Sequence, residues 1–549
     1  METRRTWQWP LVVVVATLLA TTVACARGTD DADTATTEPA AQAGLGDPAA
    51  IDAGEPVRGG TVVWALEDET DGLNPVSGRF IASGHMMASA IFDPLVTTDA
   101  EGRWEPYLAE SLEPNDDYTE WTITLRDGVT FHDGTPLTAE VVATVLRLHL
   151  DSAISQRAIY LVDDIEVVGP LRVRIGLRDS WPTLPYIFVS QIGYVPALSM
   201  LDVPEEARSP VGTGPFRFQQ WDYGRSFKAV RNESYWRRDE RGEQLPYLDA
   251  VEFRPIPDPQ LRTDSLLNRS VDAIITPALG EISRLSAAPG IRVLTYDEGE
   301  EVYVVLQTDR PPFDRLTARQ AVAHATDAET IRRETGAGLS KPANSLWAEG
   351  QLGYRADSGQ LPFDLERARE LVAAYEAETG QPLAFTLIST QNLDALRLQQ
   401  LLKSQWEAAG MRVDVESFPQ SDLVVRYVLG NYQAGVSRLF GSPDPDLEFT
   451  WLHSSSIDPD LISLNLSRFD DPTIDAALER GRTSADPQVR DEAYATVARV
   501  LNEQAPVIWL QRQVWAIASS EEVHGYGLAA NGSMQTIGAK TWMATLWKS

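Results

Sequence analysis

Six histidines stand at positions 85, 132, 149, 324, 453 and 524, each far from the next, and the chain has a single cysteine, Cys25. A metal site needs several His, Cys or carboxylate ligands at short, regular spacing. None of the histidines has a second one at that spacing, so no metal and no cofactor is expected. His132-Asp133 is an adjacent acid–base pair, but Val129 to Thr135 alternates as a strand running into an Asp-Gly turn, which favours a structural histidine. Gly212-Thr213-Gly214-Pro215 has the glycines of a phosphate-binding loop. Pro215 removes a backbone donor where such a loop supplies one, and no lysine follows, so a tight turn is expected instead. The chain carries no G-x-S-x-G elbow, no Walker loop and no zinc-protease helix. Its 79 carboxylates leave a glycosidase-type pair open on spacing alone. Nothing assembles a nucleophile, a base and an oxyanion donor, and the chain is not expected to be an enzyme.

Cys25 offers different chemistry. Arg4 and Arg5 precede an apolar run from Leu11 to Leu19, and the small residues Ala20 to Ala24 follow, which is the layout of a secretory signal peptide. The cysteine stands where a lipoprotein signal peptidase would cut and its thiol would be acylated. Ala24-Cys25 is similar to a bacterial lipobox, which Thr22 departs from, since leucine is usual there. An ordinary signal peptide with an incidental cysteine is the simpler alternative. A twin-arginine signal is weakened by Gln8. The expected arrangement is a signal peptide over 1–24 and a lipid anchor and flexible tether over 25–58. The tether is poor in large apolar residues and cannot offset the entropy of ordering. No later segment reaches the roughly 20 apolar residues that span a bilayer. The mature chain is expected at the outer face of the cytoplasmic membrane.

The elements that would position any site follow from Gly59 onward. At 549 residues, 43% hydrophobic and with 15 tryptophans, the chain can fill several cores. With one cysteine it forms no internal disulfide. The net charge of −32 argues against nucleic acid, whose phosphates need clustered Lys and Arg. Gly59 to Leu66 reads as a buried first strand, and Trp121 to Leu125 alternates with period two. Thr138 is placed to cap a helix bearing Val141, Val142, Val145 and Leu146. Thr317 and Gln320 have capping-box spacing. Leu383 to Ser389 predicts a strand, Asp394 the start of a helix ended by Gly410, and Met411 to Val415 a second strand. That order implies a parallel βαβ crossover in a mixed α/β fold.

Several segments in order resemble the extracellular solute-binding proteins of ABC importers, in the family that includes the dipeptide, oligopeptide and nickel binders (family 5). They are Gly59-Gly60-Thr61 with Leu73-Asn74-Pro75, then Asp93-Pro94-Leu95-Val96, Pro106 to Leu112, and Leu125 to Glu140. Val211 to Phe216, Arg231 to Trp236, Pro246 to Asp249, Pro311 to Asp314, Arg319-Gln320-Ala321 and Asp444-Pro445-Asp446 continue the series. The resemblance implies an α/β, two-lobe, type II periplasmic-binding-protein-like fold of the large, three-subdomain kind, with a cleft between the lobes. Lobe I would comprise 59–300 plus 511–549, with an extra subdomain at about 77–205, and lobe II would be 301–510.

The same resemblance implies that the cleft is lined by Arg79, Phe80 and Ile81 and by Arg438, Phe440, Gly441, Ser442 and Asp444, with Phe440 the leading contact. In peptide-binding relatives an aspartate in the second loop meets the ligand's α-amino group. Here Gly441 takes that place, so either Asp444 substitutes for it or the ligand has no free amino terminus. Peptides are the default ligand, with modified peptides, sugars or metal chelates as alternatives, and nickel is disfavoured by the sparse histidines. The implied partners are that solute, a permease with its ATPases, and the membrane through the lipid. A monomer is expected. A lipid-anchored sensor without a transport role would have the same sequence.

Overall fold

The computed structural model describes residues 54–70, 72–99, 102–201, 209–296, 299–438, 441–458, 462–526 and 542–549. The leader, Cys25 and most of the tether lie outside the described residues, as does Phe440. Among the described residues no helix is long and apolar enough to cross a membrane.

Two large sheets organise the chain. The first has seven strands in the order Ile291–Tyr296, Trp515–Ser520, Ala273–Thr276, Thr61–Leu66, Ala250–Pro255, Ser226–Arg231, Phe216–Asp222. Thr61–Leu66 lies at its centre, parallel to both neighbours, and Val62, Trp64, Ala65 and Leu66 are all buried, as an apolar strand covered on both faces requires. One strand of this sheet comes from the far end of the chain, because Trp515–Ser520 inserts antiparallel between Ala273–Thr276 and Ile291–Tyr296.

The second sheet has five strands, in the order Arg412–Phe418, Ala384–Thr390, Ala434–Arg438, Glu301–Leu306, Val507–Arg512. Ala384–Thr390 and Arg412–Phe418 are parallel and joined by the helix Leu393–Ala408, so the predicted βαβ unit is present. That helix starts one residue before the expected Asp394, because Asn392 caps it by accepting from the Ala395 N–H. The Thr138 cap also forms, its hydroxyl accepting from the Val141 N–H at 3.4 Å. The Thr317–Gln320 capping box does not. The helix Leu316–Ala325 begins earlier, with Arg315 at its cap position, and the Gln320 amide donates to the Glu503 carbonyl instead.

A third, antiparallel sheet of Ala109–Pro114, Glu120–Leu125, Arg172–Leu177 and Val162–Gly169 packs against the helix Ala139–Asp151 around its own core. The chain passes between the two large sheets twice, after Tyr296 and between Arg512 and Trp515. The register brings these crossings side by side, with Tyr296 opposite Trp515 and Glu301 opposite Arg512. Arg512 fixes this junction. Its guanidinium pairs with Glu301 and donates to the carbonyls of Gly299, Ser345, Leu346 and Trp347, so both terminal nitrogens of the fork are engaged.

His132 is structural, as its setting suggests. Its Nε2 meets the Gly214 carbonyl at 2.9 Å, and its Nδ1 accepts from the Gly212 N–H at 3.3 Å. Burial pushes its pKa down to about 4, so the ring is neutral and each nitrogen has one role. The Gly212–Pro215 segment it holds is a tight turn against Ile91, where a β-carbon at Gly212 or Gly214 would overlap the Ile91 backbone.

Candidate functional site

Of the two expected cleft segments, the first is held from behind. The Gln191 amide donates to the carbonyls of Pro75 at 2.6 Å and Gly78 at 2.8 Å, and Gly78 closes its turn onto the Asn74 carbonyl. Arg79 is exposed at the surface of this loop. Phe80 turns inward: it is 8% exposed and packs edge-on to His85 and against Tyr194 in the core of the seven-stranded half. Ile81 is half-buried at the cap position of the helix Ala82–Ile91. Arg79 is therefore the member of this trio that presents a polar group outward.

Arg438 ends the strand Ala434–Arg438 of the five-stranded half and crosses to the other half. Its Nη2 donates to Glu67 Oε1 at 2.9 Å, just past the end of the first strand, and its guanidinium lies 4.9 Å from the Trp515 ring. Glu300 is 3.8 Å from Arg438 Nε and accepts from the Trp515 indole at 2.6 Å. Burial alone would lower the Arg438 pKa, but the Glu67 and Glu300 carboxylates outweigh it and hold the guanidinium charged. One expected residue thus meets three that the sequence pattern did not single out, at the place where the chain crosses between sheets.

Beyond Arg438, Gly441 is half-buried and Ser442 buried. The Ser442 hydroxyl bonds Glu448, and its carbonyl accepts from the Gln351 amide at 3.2 Å. Burial pushes the Glu448 pKa up to about 7, with the Ser442 bond only partly offsetting it. Asp444 is committed elsewhere. Its Oδ1 accepts from Arg490 Nη2 at 2.6 Å and from the Asp446 N–H, starting the short helix Pro445–Glu448.

Asp446 joins the five-stranded half to the segment that follows the third sheet. Its carboxylate accepts from Arg482 Nε at 2.6 Å within the five-stranded half, and from the Trp181 indole and Thr183 hydroxyl, both at 2.7 Å, in the segment after the third sheet. Arg482 also donates to the Ala158 carbonyl, and Tyr160 stacks on Phe449 at 5.0 Å. Asp446 and Arg482 are each about 1% exposed at the side chain, so the pair is desolvated and fully bonded. The Asp444-Pro445-Asp446 tripeptide was the sequence signal at hand. Nothing local marks Trp181, Thr183 or Arg482 as its partners.

Among the described residues no group of three or more His, Cys, Asp or Glu could hold a metal. Among the described residues, the two expected cleft segments lie where side chains of the two large sheets meet, through Arg438 with Glu67 and Trp515.

Comparisons with known proteins agree with this geometry. The profile of the bacterial extracellular solute-binding proteins, family 5 middle region, matches residues 103–459. The chain is 25% identical over 457 residues to heme-binding protein A of Haemophilus influenzae, covering 77% of this chain and 81% of that one. It is 25% identical over 491 residues to the nickel-binding periplasmic protein of Escherichia coli K12, covering 83% and 89%. Its fold superposes with a TM-score of 0.79 on the periplasmic binding protein AgaA of A. tumefaciens R10 in complex with agropinic acid, at 23% identity and covering 89% and 99%.

Proposed function

The chain belongs to the bacterial extracellular solute-binding proteins of family 5, and on that premise we propose that it captures a peptide-sized solute between two closing lobes for an ABC importer. Lobe I would be 59–300 plus 511–549, with 77–205 as its extra subdomain, and lobe II 301–510. Cys25 would carry the lipid that keeps a monomeric receptor at the outer face of the cytoplasmic membrane. The observation that carries this reading is the Arg438–Glu67 pair, which joins facing sides of the two halves beside their double crossing. Ligand contacts made to both sides favour the closed arrangement, and closure is driven by that difference in affinity alone.

Charge narrows the solute. Gly441 supplies no carboxylate, Asp444 is neutralised by Arg490, and Asp446 by Arg482 with two further donors. Within the described residues of the two cleft segments, no carboxylate remains for a buried ammonium, which would be costly to leave unpaired. We infer a peptide-like solute whose amino group is blocked, substituted or absent. AgaA, similar to this chain in fold, is solved in complex with agropinic acid.

The test is a calorimetric titration of the purified protein with matched pools of short peptides, free and N-acetylated. Preferential binding of the acetylated pool is expected. Tight binding of the free-amine pool alone would restore Asp444 or another acid as an amine partner.

A further inference from the structure

A cavity of about 290 Å³ lies where residues flanking the third sheet, Pro106, Tyr107 and Arg126, meet Trp236, Arg237 and Arg238. None of these residues belongs to either cleft segment. Three guanidiniums converge there in a chain whose net charge is −32. Arg237 lies over the rings of Tyr107, Trp236 and Trp542, at 4.8, 5.6 and 4.3 Å from their centroids. Arg126 lies over Trp236 at 5.5 Å and donates its Nε to the Tyr107 carbonyl at 2.6 Å, while Arg238 donates to the Gly242 carbonyl.

Most arginines of this protein are paired with carboxylates, whereas among the described residues none of these three has a carboxylate within ion-pair distance. Behind the wall lies Asp93. It is fully buried and already accepts from the Trp236 indole, the Tyr235 hydroxyl and the Thr213 hydroxyl. Asp93 therefore fixes the wall without occupying the guanidinium faces that point into the cavity. Ring contacts occupy the faces of Arg237 and Arg126, and backbone carbonyls take one donor nitrogen each of Arg126 and Arg238, so further in-plane N–H donors remain, the geometry that matches an oxyanion with two or more oxygens.

We propose that this pocket is a second binding site, for the phosphate group of a monoester or diester. The face continues toward the chain's entry into the folded body. A neighbouring cavity is lined by Glu55, Pro56, Arg58, Arg241, Glu243 and Tyr247, and Arg58 bonds the Gln244 carbonyl between the two. The first described residues thus lie beside the arginines, which gives two sources for the phosphate: a lipid headgroup near the tether, or a soluble phosphate compound.

The experiment titrates inorganic phosphate into the full chain at constant ionic strength, beside an Arg126→Gln/Arg238→Gln double variant. Arg237 is left in place because its ring contacts support the fold. One saturable site is expected, weakened about tenfold or more in the double variant by loss of two charge-assisted contacts. Because Arg126 also holds the Tyr107 carbonyl, Arg238→Gln alone serves as a second variant, expected to weaken binding with an unchanged melting temperature. Co-sedimentation with phosphatidylglycerol vesicles against phosphatidylcholine vesicles identifies the source. A preference for phosphatidylglycerol that the double variant loses assigns the headgroup, and phosphate binding without that preference assigns a soluble compound. No saturable phosphate binding, or equal affinity in parent and both variants, would overturn the proposal.

Discussion

Thr183→Val removes one hydroxyl from the Asp446 junction and little else. Valine fills nearly the same volume, and Asp446 keeps Arg482 and Trp181 as donors. What is lost is a 2.7 Å hydrogen bond from Thr183, in the segment after the third sheet, to a buried carboxylate of the five-stranded half. Hydrogen bonds to charged groups contribute about 1.5–3 kcal/mol. If the bond exists only when the halves are closed, that amount is subtracted from closure. Ligand affinity then falls by about 10- to 150-fold, at 1.4 kcal/mol per factor of ten. The ligand-free protein, open and already without the bond, should melt as the parent does. Calorimetric titration with the solute and a ligand-free melting curve read the two effects separately. Unchanged affinity, or a ligand-free melting temperature lowered by the full amount, would refute the reasoning, because the junction would then be a permanent part of the fold.

Acid should destabilise the fold partly through two buried histidines. Burial lowers the pKa of both His132 and His149 to about 4, against 6.5 for the free side chain. As pH falls below 6.5 the unfolded chain takes up protons that the folded chain refuses, so stability is lost down to about pH 4, by about 3 kcal/mol per group. His149→Leu, which gives up the bond to Ser155, should flatten denaturant-measured stability across that window, and an unaltered slope would contradict the assignment. Gly214→Ala places a β-carbon about 2.5 Å from the Ile91 backbone, and a loss of about 3 kcal/mol or more is expected in urea unfolding. Cys25→Ala should move the protein from the membrane fraction to the soluble fraction, as immunoblotting would report; retention would sink the lipid anchor.

Local pattern made much of the scaffold readable. The 384–418 βαβ unit carries its own periodicity, cap and terminating glycine, so neighbours along the chain specify it. The Gly212–Pro215 turn was readable because proline and glycine restrict backbone directly. Long-range pairing was not. Nothing in Trp515–Ser520 itself says that it inserts between strands more than 200 residues earlier, and only the family resemblance implied a return to the first lobe. Gln320 misled because its amide found the Glu503 carbonyl, a tertiary partner that competes with local capping. At the site, the family resemblance alone points to Arg438 and Phe80, and nothing local tells that Arg438 meets Glu67 or that the Phe80 ring packs against His85 and Tyr194. Asp444 was legible as an acid but not as the partner of Arg490, 46 residues away.

Closure over a single bound solute is the centre of the account, and a native mass spectrum with ion mobility reads it in one measurement. The protein purified from rich medium, or mixed with the N-acetylated peptide pool, should carry one adduct of a few hundred daltons. The adduct-bearing ion should have a smaller collision cross-section than the bare ion, as expected when two halves close on a ligand. Adducts that leave the cross-section unchanged, or no adduct from either source, would contradict capture between closing lobes.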